Sequence, residues 1–211
     1  MTLQKVMNSD FYGPVQWAVC NGDDWSDWSE IQEIPGFGWE WGSDDTVSAI
    51  CDVVPEFHAS SNCIIALGYN MYYRNKKFWN PRTDPENNGK LKNYPVYAVF
   101  KDGKWIVQRE KLHYADFEDY ALYASNCSQR LTLANGRIIV PVAFDASGLM
   151  NSKVATLLCE FDGRKFNVLE LSNTLENPVN RGFLEPSVTS FKEKFYLTLR
   201  SEDERGYVSV S

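Results

Sequence analysis

Histidine and paired cysteine are what this sequence most lacks. The two histidines, His58 and His113, are too few and too isolated to cage a metal ion. The five cysteines (Cys20, Cys51, Cys63, Cys127 and Cys159) are odd in number and have no CxxC spacing, so neither a zinc site nor a disulfide framework is indicated. The sequence thus predicts no metal and no cofactor. Basic charge is also scarce: 21 Lys and Arg stand against 28 Asp and Glu, for a net charge of −7, and the cations are scattered. That excludes nucleic acid and anionic membrane as expected partners. No apolar run approaches the ~20 residues of a membrane span. The opening MTLQKVMNSDFYG lacks the apolar core of a signal peptide. Helical periodicity is almost missing too.

What is present is aromatic and strand-like. Seven Trp, eleven Tyr and twelve Phe are many for 211 residues, and 44% hydrophobic content is ample for one domain over residues 1–211. Such rings favour strands and offer stacking surfaces for sugars. Short runs broken by Gly, Asn and Asp are the pattern of a sandwich, barrel or propeller. They also recur in order, which favours the propeller. Three segments read as hairpins: QWAVCNGDDWSDWSEIQEI, VYAVFKDGKWIVQ and VATLLCEFDGRKFNVLEL. An apolar strand precedes each (MTLQKVM, CIIALGYNMYY, RIIVPVAF), and a fourth copy, KFYLTLRS, precedes the terminal GYVSVS. One further strand lies ahead of three of these: DVVPEFH, CSQRLTL and EPSVTSF. The chain therefore reads as an all-β propeller segment. It would comprise a partial blade lacking its first strand, two whole blades, and a partial blade lacking its last.

CDVVPEFHASSNCIIALG, SQRLTLANGRIIVPVAF and LEPSVTSFKEKFYLTLRSEDERGYVSVS resemble successive blades of the sialidase-like (neuraminidase-like, BNR-repeat) six-bladed propellers. The likeness covers most of the chain. CNGDDWSDWSE resembles a degenerate Asp-box turn in which Cys20 replaces Ser and a residue is inserted. The resemblance implies Asp52, in AICDVVPEF, as general acid/base. It implies Glu185, in FLEPSV, as the carboxylate that polarises a tyrosine nucleophile. Arg205, with Arg200 as neighbour, matches one member of an arginine triad that grips the substrate carboxylate. The family's Arg-Ile-Pro segment would precede Met1, and its later arginine and tyrosine would follow Ser211. These departures leave the sugar open, and they predict negligible sialidase activity for this chain alone. A secreted or periplasmic location is suggested by the resemblance.

The residues carry a reading of their own. Asp52, Gln129–Arg130 and Glu185 open three expected inner strands, whose ends converge on the axis of a propeller. Two carboxylates and an arginine there would suit glycoside hydrolysis, with one carboxyl protonated and one ionised. The arginine fork fits an acidic sugar. Blander readings stand beside these. Asp52 could cap a turn, Arg130 could pair with a structural carboxylate, and Arg200 and Arg205 could pair with Glu202, Asp203 and Glu204 at the surface. His58 reads as a solvated turn residue. His113 sits in a loop that could reach the pocket rim.

Two loops are candidates for substrate contact: PGFGWEWGSDD, with Trp39 and Trp41, and the polar stretch 74–95, with Trp79 and Arg82. The expected activity is an exo-acting glycoside hydrolase on acidic sugars. The alternatives are a non-catalytic glycan-binding propeller or inactive remnant, and a polysaccharide lyase with His113 as base and Arg130 neutralising a uronate. Bare faces on the two terminal blades predict a homo-oligomer, or a fragment whose other blades are supplied elsewhere.

Overall fold

The structure is a computed structural model that describes residues 1–8, 10–23, 25–42, 45–87, 90–124, 128–146 and 151–211. Four antiparallel sheets follow one another along the chain. The first contains β1 (Thr2–Asn8), β2 (Phe11–Trp17) and β3 (Gln32–Glu33). The second is built on β5 (Thr46–His58), β6 (Cys63–Arg74), β8 (Pro95–Lys101) and β9 (Lys104–Lys111); the short β4 (Glu40–Trp41) pairs with β5, and β7 (Lys77–Phe78) with β6. In the third, β10 (Leu122–Ala124) and β11 (Leu131–Thr132) share β12 (Ile138–Asp145), followed by β13 (Lys153–Phe161) and β14 (Phe166–Leu171). The fourth holds β15 (Leu184–Phe191), β16 (Lys194–Arg200) and β17 (Gly206–Val210). The sheets match the blade pattern read from the sequence, two full and two three-stranded. The chain is an all-β propeller segment of four blades.

Alternation along the strands explains why the blades stack. On β6, Cys63, Ile65 and Leu67 join a core with Val140, Val142 and Leu157 of the third blade, while Ala66 points the other way. On β8, Tyr97 and Val99 take the same side as Ile65, whereas Val96 and Ala98 join Val15, Ile34 and Phe37 of the first blade. A strand buried on both faces must be apolar at every position, which is why CIIALG reads as an unbroken run. A one-residue slip would exchange the two faces, so the register is fixed from both sides. Ala143 and Val154 meet Phe183 and Leu199 to join the third and fourth blades.

The two poles of the blades differ. At the lower pole most connections are tight. Asp102 and Gly103, both with positive φ (50° and 77°), turn β8 into β9, as expected of an Asp-Gly hairpin. The exception is the 18–31 loop of the first blade, where Cys20 bridges Trp28; Asp24 lies outside the described residues. Long connections gather at the upper pole, where β5 begins and β6 ends. Within the 74–95 stretch the described residues form β7 and two 3₁₀ turns (Pro81–Thr83 and Pro85–Asn87), and Asn88 and Gly89 lie outside the described residues. Trp41 lies on an edge strand paired with Val47, rather than on a flexible loop.

Several expectations need correction here. β2 starts at Phe11, five residues before the hairpin read from the sequence, because Phe11 and Val15 are buried. β5 starts at Thr46, so Asp52 lies inside an inner strand and not at its head. Gln129 and Arg130 fall in the gap between β10 and β11. His58 is buried, sharing hydrogen bonds with Ser61 Oγ (2.6 Å) and the Gly136 carbonyl (2.8 Å); it is a packing residue. Cys20, Cys51, Cys63 and Cys159 are free thiols, and Cys127 lies outside the described residues.

Candidate active site

Asp52 and Glu185 occupy equivalent places in two different blades. Each sits six residues before the end of its inner strand (His58 for β5, Phe191 for β15), and each has a left-handed backbone, φ 55° and 48°. Each also falls in a break of register, between Cys51 and Val54 in β5 and between Leu184 and Ser187 in β15. A β-bulge of this kind twists the strand and re-aims one side chain. Left-handed φ is uncommon for residues other than glycine, and it recurs at functional sites. The bulge in β5 is accommodated by Gly68 opposite, where a Cβ would lie 2.5 Å from the Cys51 carbonyl. In β15 the bulge carries Pro186, whose missing N–H suits a break in the ladder.

The two carboxylates are close enough for their charges to act on one another. Burial first, then the negative charges of Glu185 and Asp10, push the Asp52 carboxyl up from its ordinary 3.8 to about 6. Asp52 is half-buried and has no hydrogen-bond or ion-pair partner among the described residues. Glu185 accepts a hydrogen bond from Arg200 Nη1 at 2.5 Å, which the register of β15 on β16 brings alongside.

Sequence reasoning missed much of what surrounds the pair. Arg181, on the connection before β15, bonds Glu202 through Nε (2.8 Å) and Nη2 (2.5 Å), and its charge acts on Glu185 and Asp10. Its place is set by Gly182, φ 75°, where a Cβ would lie 2.2 Å from the Ser152 carbonyl. Arg82 reaches across to Asp145 at 3.0 Å, a pair whose carboxylate is almost wholly buried. Burial raises the Asp145 carboxyl even beside that guanidinium. Arginines and acids from four blades thus meet at one pole. The only sequence signal for Arg181 and Asp145 was their location in polar loops, which does not tell a site from a surface.

The other candidates divide. Arg130 is a correction: its guanidinium is buried (3% exposed), donates to the Val54 carbonyl (2.9 Å) and the Ile65 carbonyl (2.6 Å), and lies 3.2 Å from Glu56. Arg130 Nε makes no hydrogen bond, so the Glu56 contact is an ion pair without N–H alignment. Arg130 therefore pins the second and third blades together, because a buried arginine must spend its donors on whatever acceptors are near. Gln129 acts through its backbone, accepting from Val188 N (3.0 Å) and donating to Ser187 Oγ (3.2 Å). Arg205 is exposed on the β16–β17 turn, beside Asp203 and Tyr207. Trp39 is tied down: its indole donates to the Tyr12 carbonyl (3.0 Å) and its ring stacks on Phe11 at 5.5 Å. Trp41 is 65% exposed, edge-on to Trp39, and borders two upper-pole cavities of about 560 and 570 Å³. His113 stands exposed after β9, 2.6 Å from Glu118.

Solved structures share this architecture. The Hadza microbial sialidase Hz136 superposes with a TM-score of 0.67 at 9% identity, over 100% of this chain and 41% of that one. The fold is that of a sialidase-like β-propeller. Trypanosoma rangeli sialidase superposes with a TM-score of 0.63 at 18% identity, over 100% of this chain and 33% of its own. The same enzyme in complex with sialic acid gives 0.59 at 18% identity, over 94% and 31% of the two chains. This propeller therefore spans less than half the length of the sialidases it matches. No family model and no curated protein matches it.

Proposed function

We propose that the upper pole is a carbohydrate-active site of the glycoside-hydrolase type acting on a terminal acidic sugar. The observation that carries the reading is the pair of blade-equivalent carboxylates on left-handed bulges, one of them raised to about 6. A carboxyl that holds its proton at mildly acidic pH can give it to the glycosidic oxygen as the C–O bond breaks, which is the role proposed for Asp52. Glu185 is the base that takes a proton from an attacking water as its oxygen bonds the anomeric carbon that the leaving oxygen quits, and Arg200 keeps the carboxylate in place. Arg200 and Arg181 each have N–H donors beyond those their glutamates use, and these can grip the sugar carboxylate. Trp41, Arg205 and His113 are exposed side chains available for further contacts, Trp41 with a stacking face.

The sialic acid held by the Trypanosoma rangeli relative supports the choice of sugar class. The test is hydrolysis of 4-methylumbelliferyl glycosides of sialic acid and glucuronic acid, together with direct binding of the free sugars. Asp52→Asn and Glu185→Gln are expected to abolish turnover while leaving binding within a few-fold. Binding without turnover in the parent chain would support the glycan-binding alternative. No binding of either sugar would overturn the proposal.

A further inference from the structure

At the upper end of the second blade, side chains alternate between two cavities. Val47 and Tyr73 line one, together with Met7 and Phe11 of the first blade, while Ser48 and Tyr72 line the other. Successive strand residues point to opposite faces, so this other cavity, of about 560 Å³, lies on the face of β5 and β6 away from Met7 and Phe11. It is bounded by Glu40 and Trp41 of β4, by Ser48 and Tyr72, and by the connection that carries Trp79, Glu86 and Lys90. That connection is braced from within. The buried Asn87 donates to the Pro81 and Leu91 carbonyls (both 3.0 Å) and accepts from Leu91 N (2.9 Å). Trp79 donates its indole N–H to Asp84 (3.0 Å), and the Arg74 guanidinium lies 4.0 Å from the Trp79 ring. Two of the lining charges are already matched, Glu40 by Arg109 (3.0 Å) and Arg74 by Asp84 (3.3 Å). Glu86 and Lys90 are exposed, and neither side chain has a partner among the described residues. Trp41 is 65% exposed, so a ligand can reach its ring.

Those features define a complementary ligand. The volume falls in the ~300–1,000 Å³ range of small-molecule sites. The Lys90 ammonium can only donate hydrogen bonds and the Glu86 carboxylate can only accept them. A sugar hydroxyl does both, so adjacent hydroxyls can engage the two groups together. The unmatched charges are one of each sign. An anionic ligand would meet Glu86 and a cationic one Lys90, each at a desolvation cost that a neutral ligand avoids. Trp41 supplies an aromatic face for the C–H side of a pyranose ring. We infer that this cleft is a secondary, non-catalytic site for a neutral hexose oligosaccharide, with Trp41 as stacking platform and Glu86 and Lys90 as hydroxyl partners. It does not rest on the assignment of Asp52 and Glu185.

The test follows the indole N–H resonances of the ¹⁵N-labelled full chain, assigned by single Trp→Phe variants, as cellotriose, maltotriose or lactose is added. At least one of these sugars should shift Trp41 and Trp79 saturably. The cationic glucosamine trimer and the anionic glucuronic acid trimer, charged counterparts of cellotriose, should bind more weakly than the best neutral sugar. Trp41→Ala should weaken binding about three- to tenfold, the worth of one ring contact. Lys90→Met should weaken it about tenfold, the worth of one charge-assisted hydrogen bond, and Lys90→Arg should keep it within a few-fold. Both residues are exposed, so these variants keep the fold testable. Met7→Ala, which alters only the opposite cavity, and Asp52→Asn should leave the titration unchanged. Absence of shifts with all three neutral sugars, equal shifts with the charged trimers, or shifts confined to Trp39 would overturn the assignment.

Discussion

Asp52 costs the fold stability in its ionised state. Its pKa is raised in the native state, so the folded chain binds more protons than the unfolded chain between 3.8 and about 6. Stability therefore falls as pH rises through that window, and above it the loss is constant. The shift corresponds to about 3 kcal/mol at most, and to about 2 kcal/mol after allowing for the group's partial exposure. Asp52→Asn should raise stability at pH 7 by that amount, measured by urea denaturation, and the gain should shrink towards pH 4. An unchanged midpoint would mean that Asp52 is better solvated than its surroundings suggest. Arg130 is the reverse case. Arg130→Met would remove the guanidinium donors from the Val54 and Ile65 carbonyls and its ion pair from Glu56, and should cost about 2–4 kcal/mol in the same assay.

At the scale of elements, the bulges and turns set where side chains go, and glycines report their tolerance. Gly103 and Gly182 have nearly the same φ, 77° and 75°, but open space surrounds the first, and the second rests on the Ser152 backbone. Gly103→Ala should cost about 1 kcal/mol, the ordinary left-handed penalty. Gly182→Ala should cost more than about 2 kcal/mol by adding a clash, and should displace Arg181. Equal losses in thermal unfolding would contradict the packing described for Gly182. Strands and tight turns were legible in the sequence because alternation and Asp-Gly pairs are local. The bulge at Asp52 was not, since nothing in AICDVVPEF marks a left-handed residue, and the strand looked as if it began there. The role of Arg130 was hidden for a similar reason. Its acceptors, Val54 and Ile65, are more than sixty residues away in sequence.

On the scale of the molecule, four blades form an arc whose outer strands keep apolar residues in water. Val208 and Val210 on β17 are 61% and 52% exposed, and β17 pairs with β16 alone among the described strands. An apolar edge strand invites pairing. The chain is expected to associate with rising concentration in light scattering, and Val208→Lys with Val210→Lys should suppress this. Asp52 and Glu185 are proposed to act as one site for an acidic sugar. This is tested most directly by following the ¹³C carboxyl resonance of Asp52 across pH, with and without N-acetylneuraminic acid. A midpoint near 6 is expected in the free protein, a lower midpoint in Glu185→Gln, and a displaced midpoint when the sugar is bound. A midpoint near 3.8 that neither Glu185→Gln nor the sugar moves would contradict it.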